Sequence, residues 1–274
     1  MSGQYAGVLL YSDLDGTLLT PQRTLSPENL EAIHRFVSQG GLFGVATGRM
    51  ERSLQLNFPA LPTNLPCIFY NGALIQWHPD GPVLLKRALE TDPVPQLKAV
   101  MAACPGVGIE VLSGGQAYVQ QINEPMRAQL GREGLQGIPA DWPDIPAGWY
   151  KVLLTGERPA LAEARRMLED LGKGSYDLVY SEDTLLEILQ PNVSKGSALH
   201  WVKARYAGRV NLTVAVGDND NDADMLAVAD LGIAMENGTA RAKAGADHVV
   251  PDNREACLPH VLAWIDRRLQ ETAR

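Results

Sequence analysis

One short stretch decides the fold of this chain: Val8-Leu9-Leu10-Tyr11-Ser12-Asp13-Leu14-Asp15-Gly16-Thr17. The apolar run over residues 8–11 predicts a buried strand. It ends at two aspartates spaced two residues apart, and glycine and threonine follow directly. The carboxyl ends of parallel strands form the ligand crevice of an open α/β sheet, so this pattern predicts two carboxylates in such a crevice. Neighbouring carboxylates repel each other unless a cation lies near them or one of them keeps a proton.

The same residues also fit a plainer interpretation. Asp-Gly is a turn signal, and aspartates before a glycine often only shape the turn. The functional interpretation is phosphoryl transfer, in which a metal ion neutralises the phosphate charge and a carboxylate attacks. The rest of the chain favours this second interpretation.

Length and composition limit the possible classes of protein. The chain has 274 residues, of which 45% are hydrophobic and 20% charged, as in an ordinary globular protein of one or two domains. The formal net charge is -8 and no block of lysine and arginine is present, which argues against a nucleic-acid partner. No apolar stretch has the length of a membrane span. An acidic protein that handles phosphate must offset charge locally, which favours a bound cation.

The cysteines indicate the compartment. Cys67, Cys104 and Cys257 are odd in number and form no Cys-x-x-Cys pair, which argues against a disulfide framework or a zinc site. A reducing, cytoplasmic compartment is therefore expected. The first residues lack the pattern of a secretory signal, because Asp13 interrupts the apolar run early. The sequence gives no indication of the oligomeric state.

The first third of the chain predicts a βαβ unit. Ser26 and Pro27 form a helix start, and the helix should end at Gly40-Gly41. Residues 42–46 then predict a second buried strand, parallel to the first. A third apolar run over residues 67–70 is followed by Asn71-Gly72, which is a two-residue hairpin signal.

The middle of the chain has a different, meandering pattern. Strands are expected over 109–112, 117–119, 150–155, 177–180 and 185–189, with a helix over 159–171. Alternation of helices and strands resumes after residue 190. The predicted fold class is therefore α/β, a Rossmann-like three-layer core with a parallel sheet from residues 1–82 and 191–274, with residues 83–190 as an inserted α+β domain.

A second acidic cluster, Gly217-Asp218-Asn219-Asp220-Asn221-Asp222, follows the predicted strand over 212–216. Both acidic clusters therefore follow buried strands and should meet at one edge of the sheet. Mg²⁺ prefers six oxygen ligands, commonly one or two carboxylates together with phosphate and water. Asp13 and Asp218 are the candidates to supply these carboxylates.

Two alternatives apply to this second cluster. Asp218-x-Asp220-x-Asp222 copies the opening of a calcium loop, but such loops need glycine at position six and glutamate at position twelve. These positions hold Ala223 and Ala229. The other alternative is a solvated Asp/Asn turn, although a lone surface turn rarely follows a fully apolar strand.

Thr47 and Lys195 are further candidates. Thr47 ends a predicted strand, so its hydroxyl and the Gly48 N–H could bind a phosphate oxygen, and Thr47 could also be a helix N-cap. Lys195 begins a predicted helix, a position that the helix dipole disfavours for a cation. This points to a role for its charge, although an exposed lysine there would have little effect on stability.

Several common site patterns are absent from the sequence. There is no Gly-x-Gly-x-x-Gly after a strand, no phosphate-binding loop of the Gly-x-x-x-x-Gly-Lys type and no Gly-x-Ser-x-Gly elbow. The five histidines form no metal-binding pair of the His-Glu-x-x-His type.

Four motifs occur in a fixed order: Asp13-Leu-Asp15-Gly-Thr17, Thr47-Gly-Arg49, Lys195-Gly, and Gly217-Asp218-x-x-Asn221-Asp222. This set resembles the haloacid dehalogenase superfamily of phosphatases. The insert between the threonine and lysine motifs is similar in position and size to the C2-type cap. Asn71-Gly72-Ala73 and the segment Gly232-Ile-Ala-Met235-Glu-Asn-Gly238 resemble the Cof-type subgroup, class IIB.

The resemblance implies a role for each motif. Asp13 would be the nucleophile that forms an aspartyl-phosphate, and Asp15 the general acid and then the general base. Asp13, the Asp15 backbone carbonyl and Asp218 would hold Mg²⁺, with Asp222 beside them. The residues implied to hold the phosphate are Leu14 through its N–H, Thr47, Gly48, Lys195 and Asn221.

The expected activity is Mg²⁺-dependent hydrolysis of small phosphomonoesters, with sugar phosphates as the expected substrates. A phosphosugar mutase of the same superfamily would share the aspartyl-phosphate step. A non-catalytic sensor of phosphorylated metabolites would share the fold, but the presence of both Asp13 and Asp15 argues against it.

Overall fold

The structure of the chain is a computed structural model that describes residues 3–272, and it contains both strands and helices. In chain order, the strands are β1 (Val8–Ser12), β2 (Leu42–Val45), β3 (Cys67–Phe69), β4 (Leu74–Gln76), β5 (Val83–Lys86), β6 (Gly108–Ser113), β7 (Gln116–Gln121), β8 (Ile138–Pro139), β9 (Lys151–Thr155), β10 (Asp177–Glu182), β11 (Leu185–Leu189), β12 (Leu212–Gly217), β13 (Leu231–Met235) and β14 (His248–Val250). The helices are α1 (Pro27–Ser38), α2 (Glu51–Asn57), α3 (Val94–Ala103), α4 (Glu124–Glu133), α5 (Arg158–Gly172), α6 (Lys195–Arg205), α7 (Ala223–Val228), α8 (Ala240–Ala244) and α9 (Cys257–Thr272).

The central sheet is parallel and has the order β14-β13-β12-β1-β2. Neighbouring residues of β1 point to opposite faces, so Leu10 packs among residues of α1 and α9, whereas Tyr11 packs among residues of α6 and α7. Helices therefore cover both faces of the sheet. The predicted fold class, a three-layer α/β core with a parallel sheet, is confirmed.

A second sheet, with the order β10-β11-β9-β6-β7-β8, is antiparallel except for the pairing of β7 with β8. One face packs on α3 and α5 through Val111, Val152 and Leu154. The alternate positions of the same strands point to the other face. The expected α+β module beside the core is confirmed by this sheet and its helices.

A third, small sheet joins β3, β4 and β5. The hairpin between β3 and β4 is present, but its connection covers residues 70–73 rather than two residues, because Asn71 and Gly72 continue a single helical turn begun by Tyr70. The expected boundary at residue 83 assigns β5 to the insert, yet β5 pairs with β4 of the preceding segment. We therefore propose that the insert begins after β5.

The local sequence explains where α1, the helix that connects β1 with β2, begins and ends. The Ser26 hydroxyl accepts a hydrogen bond from the Asn29 N–H at 3.1 Å, and Pro27 occupies the first helical position. Such a cap stabilises a helix by about 1 kcal/mol. The helix ends at Ser38, just before Gly40, whose φ is +89°.

Two further expectations concern the cysteines and membrane-spanning segments. All three cysteines are buried and free. Among the helices of residues 3–272, none combines the length and the apolar character that a membrane crossing requires.

Candidate active site

The two acidic clusters meet at the carboxyl edge of the central sheet. After β1 the chain makes a tight turn over Leu14–Leu18, closed by a hydrogen bond from the Leu19 N–H to the Leu14 carbonyl at 2.9 Å. Gly16 in this turn has a φ of +82°, and a Cβ there would lie 2.4 Å from Asp218 Oδ2. Only glycine allows this backbone conformation together with this close approach.

Three carboxylates converge below the turn. Side-chain oxygens of Asp13, Asp218 and Asp222 all lie within 4.8 Å of one another. Asp13 follows β1 and the other two follow β12, and β1 pairs directly with β12. The sheet register therefore brings together three of the four residues that the sequence implies for the metal.

Lys195 lies inside this cluster. Its Nζ donates to Asp13 Oδ1 at 2.6 Å and to Asp222 Oδ1 at 2.7 Å. Ser194 and Ser197 form a capping box that starts α6 at this point and so fixes the lysine. The side chain is only 1% exposed, so the alternative of a solvated surface lysine is wrong.

Asp222 also fixes the loop that carries Asp218. Its Oδ2 accepts hydrogen bonds from the backbone N–H groups of Asp218 at 3.0 Å and Asn219 at 2.9 Å. Thr17 donates its hydroxyl to Asp218 Oδ1 at 2.8 Å. The Asp/Asn cluster is therefore an ordered loop tied to the β1 turn rather than a solvated turn.

Burial and the charges within the cluster both shift the pKa values of these groups. Burial raises the pKa of Asp13 well above its ordinary value, and Asp222 and Asp218 raise it further against the opposing Lys195 ammonium. Burial and the Asp222 charge raise the pKa of Asp218 to about 6. Burial alone would lower the pKa of Lys195, but the Asp13 and Asp222 carboxylates hold it above its ordinary value.

Asp15 faces a different environment. Arg49 holds it with two hydrogen bonds, from Nε at 2.6 Å and from the second terminal nitrogen at 2.7 Å, and Arg23 adds a third contact at 3.2 Å. Burial would raise the pKa of Asp15, but the hydrogen bonds and charge of Arg49 outweigh that effect and hold the pKa below its ordinary value. Asp15 is thus held as a carboxylate.

Thr47 and Gly48 follow β2 on the other side of β1. The Thr47 hydroxyl accepts a hydrogen bond from the Arg49 N–H at 3.1 Å. The next helix, α2, has Met50 at its N-cap, so the alternative interpretation of Thr47 as a helix cap is wrong. Thr47 therefore shapes the loop that carries Arg49.

The insert closes over this loop through a buried ion pair. Lys151 Nζ donates to the Gly48 carbonyl and to Glu187 Oε1, both at 2.9 Å. Glu187 Oε2 accepts from Asn71 Nδ2 at 2.6 Å, and Asn71 Oδ1 accepts from Asn221 Nδ2 at 2.9 Å. This chain of contacts connects the inserted sheet with the loops expected to hold phosphate.

Sequence reasoning gave no role to Arg49, Lys151 or Glu187. The signal for Arg49 was its place in the Thr47-Gly-Arg49 motif. For Glu187 the signal was a charged residue within the apolar strand Leu185–Leu189, where burial requires a partner. Lys151, at the start of β9, is that partner.

A cavity of about 270 Å³ lies between the core and the insert. Five residues implied for the site line it: Asp13, Asp15, Thr47, Gly48 and Asn221. Lys195 and Asp222 lie buried beneath, and the Leu14 side chain is part of the core.

Comparison with known proteins shows the family to which the chain belongs. The model of the haloacid dehalogenase-like hydrolase family matches residues 10–262. A pyridoxal phosphate phosphatase, YbhA of Escherichia coli K12, is 31% identical, over 88% of this chain and 92% of its own. A putative phosphatase of Haemophilus influenzae is 26% identical, over 92% of this chain and 96% of its own.

Solved structures share the fold. The crystal structure of TM0651 from Thermotoga maritima has a TM-score of 0.77 and 27% identity, and the match covers 95% of this chain and 97% of that one. A haloacid dehalogenase-like hydrolase of Bacteroides thetaiotaomicron has a TM-score of 0.83 at 22% identity, with coverage of 96% and 100%. The chain therefore belongs to the haloacid dehalogenase-like hydrolase family, and the resemblance of its motifs to the phosphatases of that superfamily is confirmed.

Proposed function

We propose that this chain is a Mg²⁺-dependent phosphomonoesterase that hydrolyses small phosphorylated metabolites through an aspartyl-phosphate on Asp13. The observation that carries the proposal is the convergence of Asp13, Asp218 and Asp222 around Lys195 at the carboxyl edge of the sheet, beneath a cavity. A nucleophilic carboxylate, a metal-binding set and a buried cation are the parts that transfer of a phosphoryl group from an ester requires.

The donor set suits Mg²⁺. Three carboxylates face one ammonium, so part of their negative charge has no cationic partner among these residues. All the donors are oxygens, which Mg²⁺ prefers. Asp13 and Asp218 would bind it, with the Asp15 carbonyl as a further ligand and Asp222 beside them. When bound, the ion would neutralise charge on the transferred phosphoryl group.

In the first step, an Asp13 carboxylate oxygen forms a bond to phosphorus as the bond from phosphorus to the leaving oxygen breaks. Asp15 gives a proton to that oxygen, so that a neutral alcohol leaves. The groups proposed to hold the phosphoryl oxygens are the Leu14 N–H, Thr47, Gly48, Lys195 and Asn221. The charge of Lys195 would remain fixed throughout, because two carboxylates surround it.

In the second step, water attacks phosphorus and the bond to Asp13 breaks. Asp15 takes a proton from the water, and inorganic phosphate leaves. The contacts of Asp15 with Arg49 and Arg23 suit this base role, because they favour the carboxylate form. Asp15 needs a proton for the first step, so its contact with Arg49 must weaken when the leaving group is present.

The substrate class is proposed from the cavity and from relatives. The YbhA relative is a pyridoxal phosphate phosphatase, and an Enterobacter relative with 28% identity is an HMP-PP phosphatase. A cavity of about 270 Å³ closed by the insert suits substrates of this size. Sugar phosphates belong to the same size range and remain among the proposed substrates.

The proposal is tested by phosphate release from a panel of phosphorylated metabolites with Mg²⁺ present. We expect release of inorganic phosphate with at least one metabolite preferred over p-nitrophenyl phosphate. Isomerisation of a phosphosugar without phosphate release would instead indicate a mutase. Tight binding of a metabolite without any turnover would indicate a sensor.

A further inference from the structure

Glu133, the last residue of α4, is unlike every other carboxyl of the cavity. The others that line it each have a cationic partner: Asp13 has Lys195, Asp15 has Arg49, Glu182 has Arg132 and Glu187 has Lys151. Glu133 lines the same cavity, but within residues 3–272 it forms no ion pair. Its Oε1 accepts from the Gln129 amide at 2.7 Å, and no described group donates to Oε2.

The position of Glu133 is fixed by the core. Its backbone carbonyl accepts hydrogen bonds from the Ser53 hydroxyl at 3.1 Å and from Asn57 Nδ2 at 2.8 Å, both on α2. The Ser53 hydroxyl also accepts a hydrogen bond from Arg49, the residue that holds Asp15. The end of α4 is thus tied to the element that positions the proposed general acid.

The effects of nearby charges on the pKa of Glu133 support its placement near Asp15 and Arg49. Burial raises the pKa of Glu133; the Lys151 and Arg49 charges oppose this, and the Asp15 charge adds to it. Glu133 therefore lies within electrostatic reach of both members of the Asp15–Arg49 pair. Because Asp15 is proposed to protonate the leaving oxygen and Glu133 lines the same cavity, the part of the substrate beyond that oxygen can reach Glu133.

The geometry points to Glu133 as a specificity-determining residue that selects phosphomonoesters whose leaving group carries an amino group or a protonated ring nitrogen. This inference rests on the proposed phosphatase function and deepens it. A substrate that fills the cavity removes water from Glu133, and a carboxylate without a donor is unfavourable in such a site. A nitrogen with a positive charge or an N–H satisfies Oε2, whereas a carboxylate in the same position is repelled.

A series of substrates of similar size tests the inference. 2-Aminoethyl, 2-hydroxyethyl and carboxymethyl phosphate differ only at the end of the leaving group, so differences between enzyme variants report on the contact rather than on intrinsic reactivity. For the wild-type protein with Mg²⁺, we expect kcat/KM to fall in that order. Glu133→Gln should lower the ratio of kcat/KM for aminoethyl over hydroxyethyl phosphate by at least about tenfold, mainly through KM, because one charged hydrogen bond is lost.

Two variants control the experiment. Glu124→Gln makes the same substitution at the exposed start of the same helix and should leave the ratio unchanged. Glu133→Asp keeps the charge and should keep the preference for the aminoethyl ester. If Glu133→Gln does not fold, Glu133→Asp still tests the inference, because a preference for the carboxymethyl ester in this variant would contradict it.

The outcomes distinguish a failure of the Glu133 assignment from a failure of the phosphatase function. If the wild-type protein hydrolyses the series but Glu133→Gln retains the wild-type ratio, the assignment of Glu133 is overturned while the phosphatase function stands. If the wild-type protein releases phosphate from no ester, including p-nitrophenyl phosphate, the proposed function fails and the inference fails with it.

Discussion

At the scale of the residue, the chemistry of Asp15 depends on its neighbours. Arg49 and Arg23 hold it as a carboxylate, yet the proposed first step uses it as an acid. A poor alkoxide leaving group needs that proton, whereas p-nitrophenolate leaves without it. The identity of the leaving group can therefore separate the role of Asp15 from the other contributions to catalysis.

Asp15→Asn should reduce the turnover of alkyl phosphates much more than it slows the first step with p-nitrophenyl phosphate. Single-turnover kinetics of leaving-group release measure this step directly. An asparagine keeps the shape of the side chain and can still contact Arg49 through its amide oxygen. Equal losses for both kinds of ester would count against Asp15 as the acid.

Glu110 is a second residue with an unusual environment. It is completely buried in β6, and neither of its carboxyl oxygens has a hydrogen-bond partner among the described residues. Burial, together with the Glu133 charge, raises the pKa of Glu110 from 4.5 to about 8. The folded protein therefore binds this proton more tightly than the unfolded chain does.

This pKa shift predicts how stability depends on pH. Between pH 4.5 and about 8 the folded state keeps the proton that the unfolded state has lost, so the free energy of unfolding falls as pH rises. The contribution is at most about 1.4 kcal/mol per pH unit. Glu110→Gln should reduce the loss of stability between pH 5 and pH 8 in urea unfolding, leaving the share of the other carboxyls with raised pKa values, while Glu124→Gln should retain the wild-type slope. A wild-type slope in Glu110→Gln would contradict the assignment.

At the scale of the element, the β3–β4 connection supports the start of α6. Gly72 has a φ of +110°, and a Cβ there would lie 2.2 Å from the Ser194 carbonyl oxygen. Ser194 caps the helix that begins with Lys195. The hairpin of the Asn71-Gly72 motif is therefore in direct backbone contact with the residue that positions the buried lysine.

Gly72→Ala should lower the free energy of unfolding by about 2–4 kcal/mol, because it combines backbone strain with a clash against backbone atoms. Urea unfolding measures the loss, and activity should fall with it because Ser194 must move. Gly106→Ala is the matched control, since a Cβ there meets nothing within 4 Å, and it should change stability by no more than about 0.5 kcal/mol. Similar stabilities for the two variants would contradict this account of Gly72.

Sequence patterns identify an element best when its signal lies in a few neighbouring residues, such as an apolar run that stops at a polar residue. The strand ends that carry Asp13, Thr47 and Asp218 were found because apolar runs stop there. Helix α2 was not found, since it has seven residues and no side-chain N-cap. Helix α4 had a usable signal, because Asn123 caps it by accepting from the Met126 N–H at 3.0 Å.

The roles of Lys151 and Glu133 could not be found in this way. Their functional contacts join residues far apart in the chain: Lys151 reaches the Gly48 carbonyl, and the Glu133 carbonyl reaches Asn57. Such contacts depend on how the insert packs on the core, and sequence periodicity carries no information about that packing.

At the scale of the whole molecule, the negative charge of the protein favours the proposed cation. The formal net charge is -8, and the cluster at the sheet edge is itself acidic. A phosphate dianion would be repelled there unless a divalent ion offset the charge. Metal removal is therefore a test of the complete site rather than of one residue.

Phosphate release should stop after treatment with EDTA and return on addition of excess Mg²⁺. Ca²⁺ should restore activity poorly, because its looser coordination by six to eight oxygens would misplace the Asp13 nucleophile. Activity before chelation, after it and after each addition gives the comparison. Full turnover in metal-free buffer would contradict the metal site proposed at Asp13 and Asp218.

Attack of Asp13 on phosphorus is tested by comparing phosphate release by the wild-type protein and by Asp13→Asn, with Mg²⁺ and a metabolite that the wild type hydrolyses. Asp13 lies at the end of β1 with Lys195 at 2.6 Å, so an amide keeps the shape of the site but is a poor nucleophile. We expect a folded variant, with a circular dichroism spectrum like that of the wild type, whose phosphate release is lowered by at least about a thousandfold, or about 4 kcal/mol in the barrier. Near wild-type release by pure Asp13→Asn would contradict the covalent mechanism.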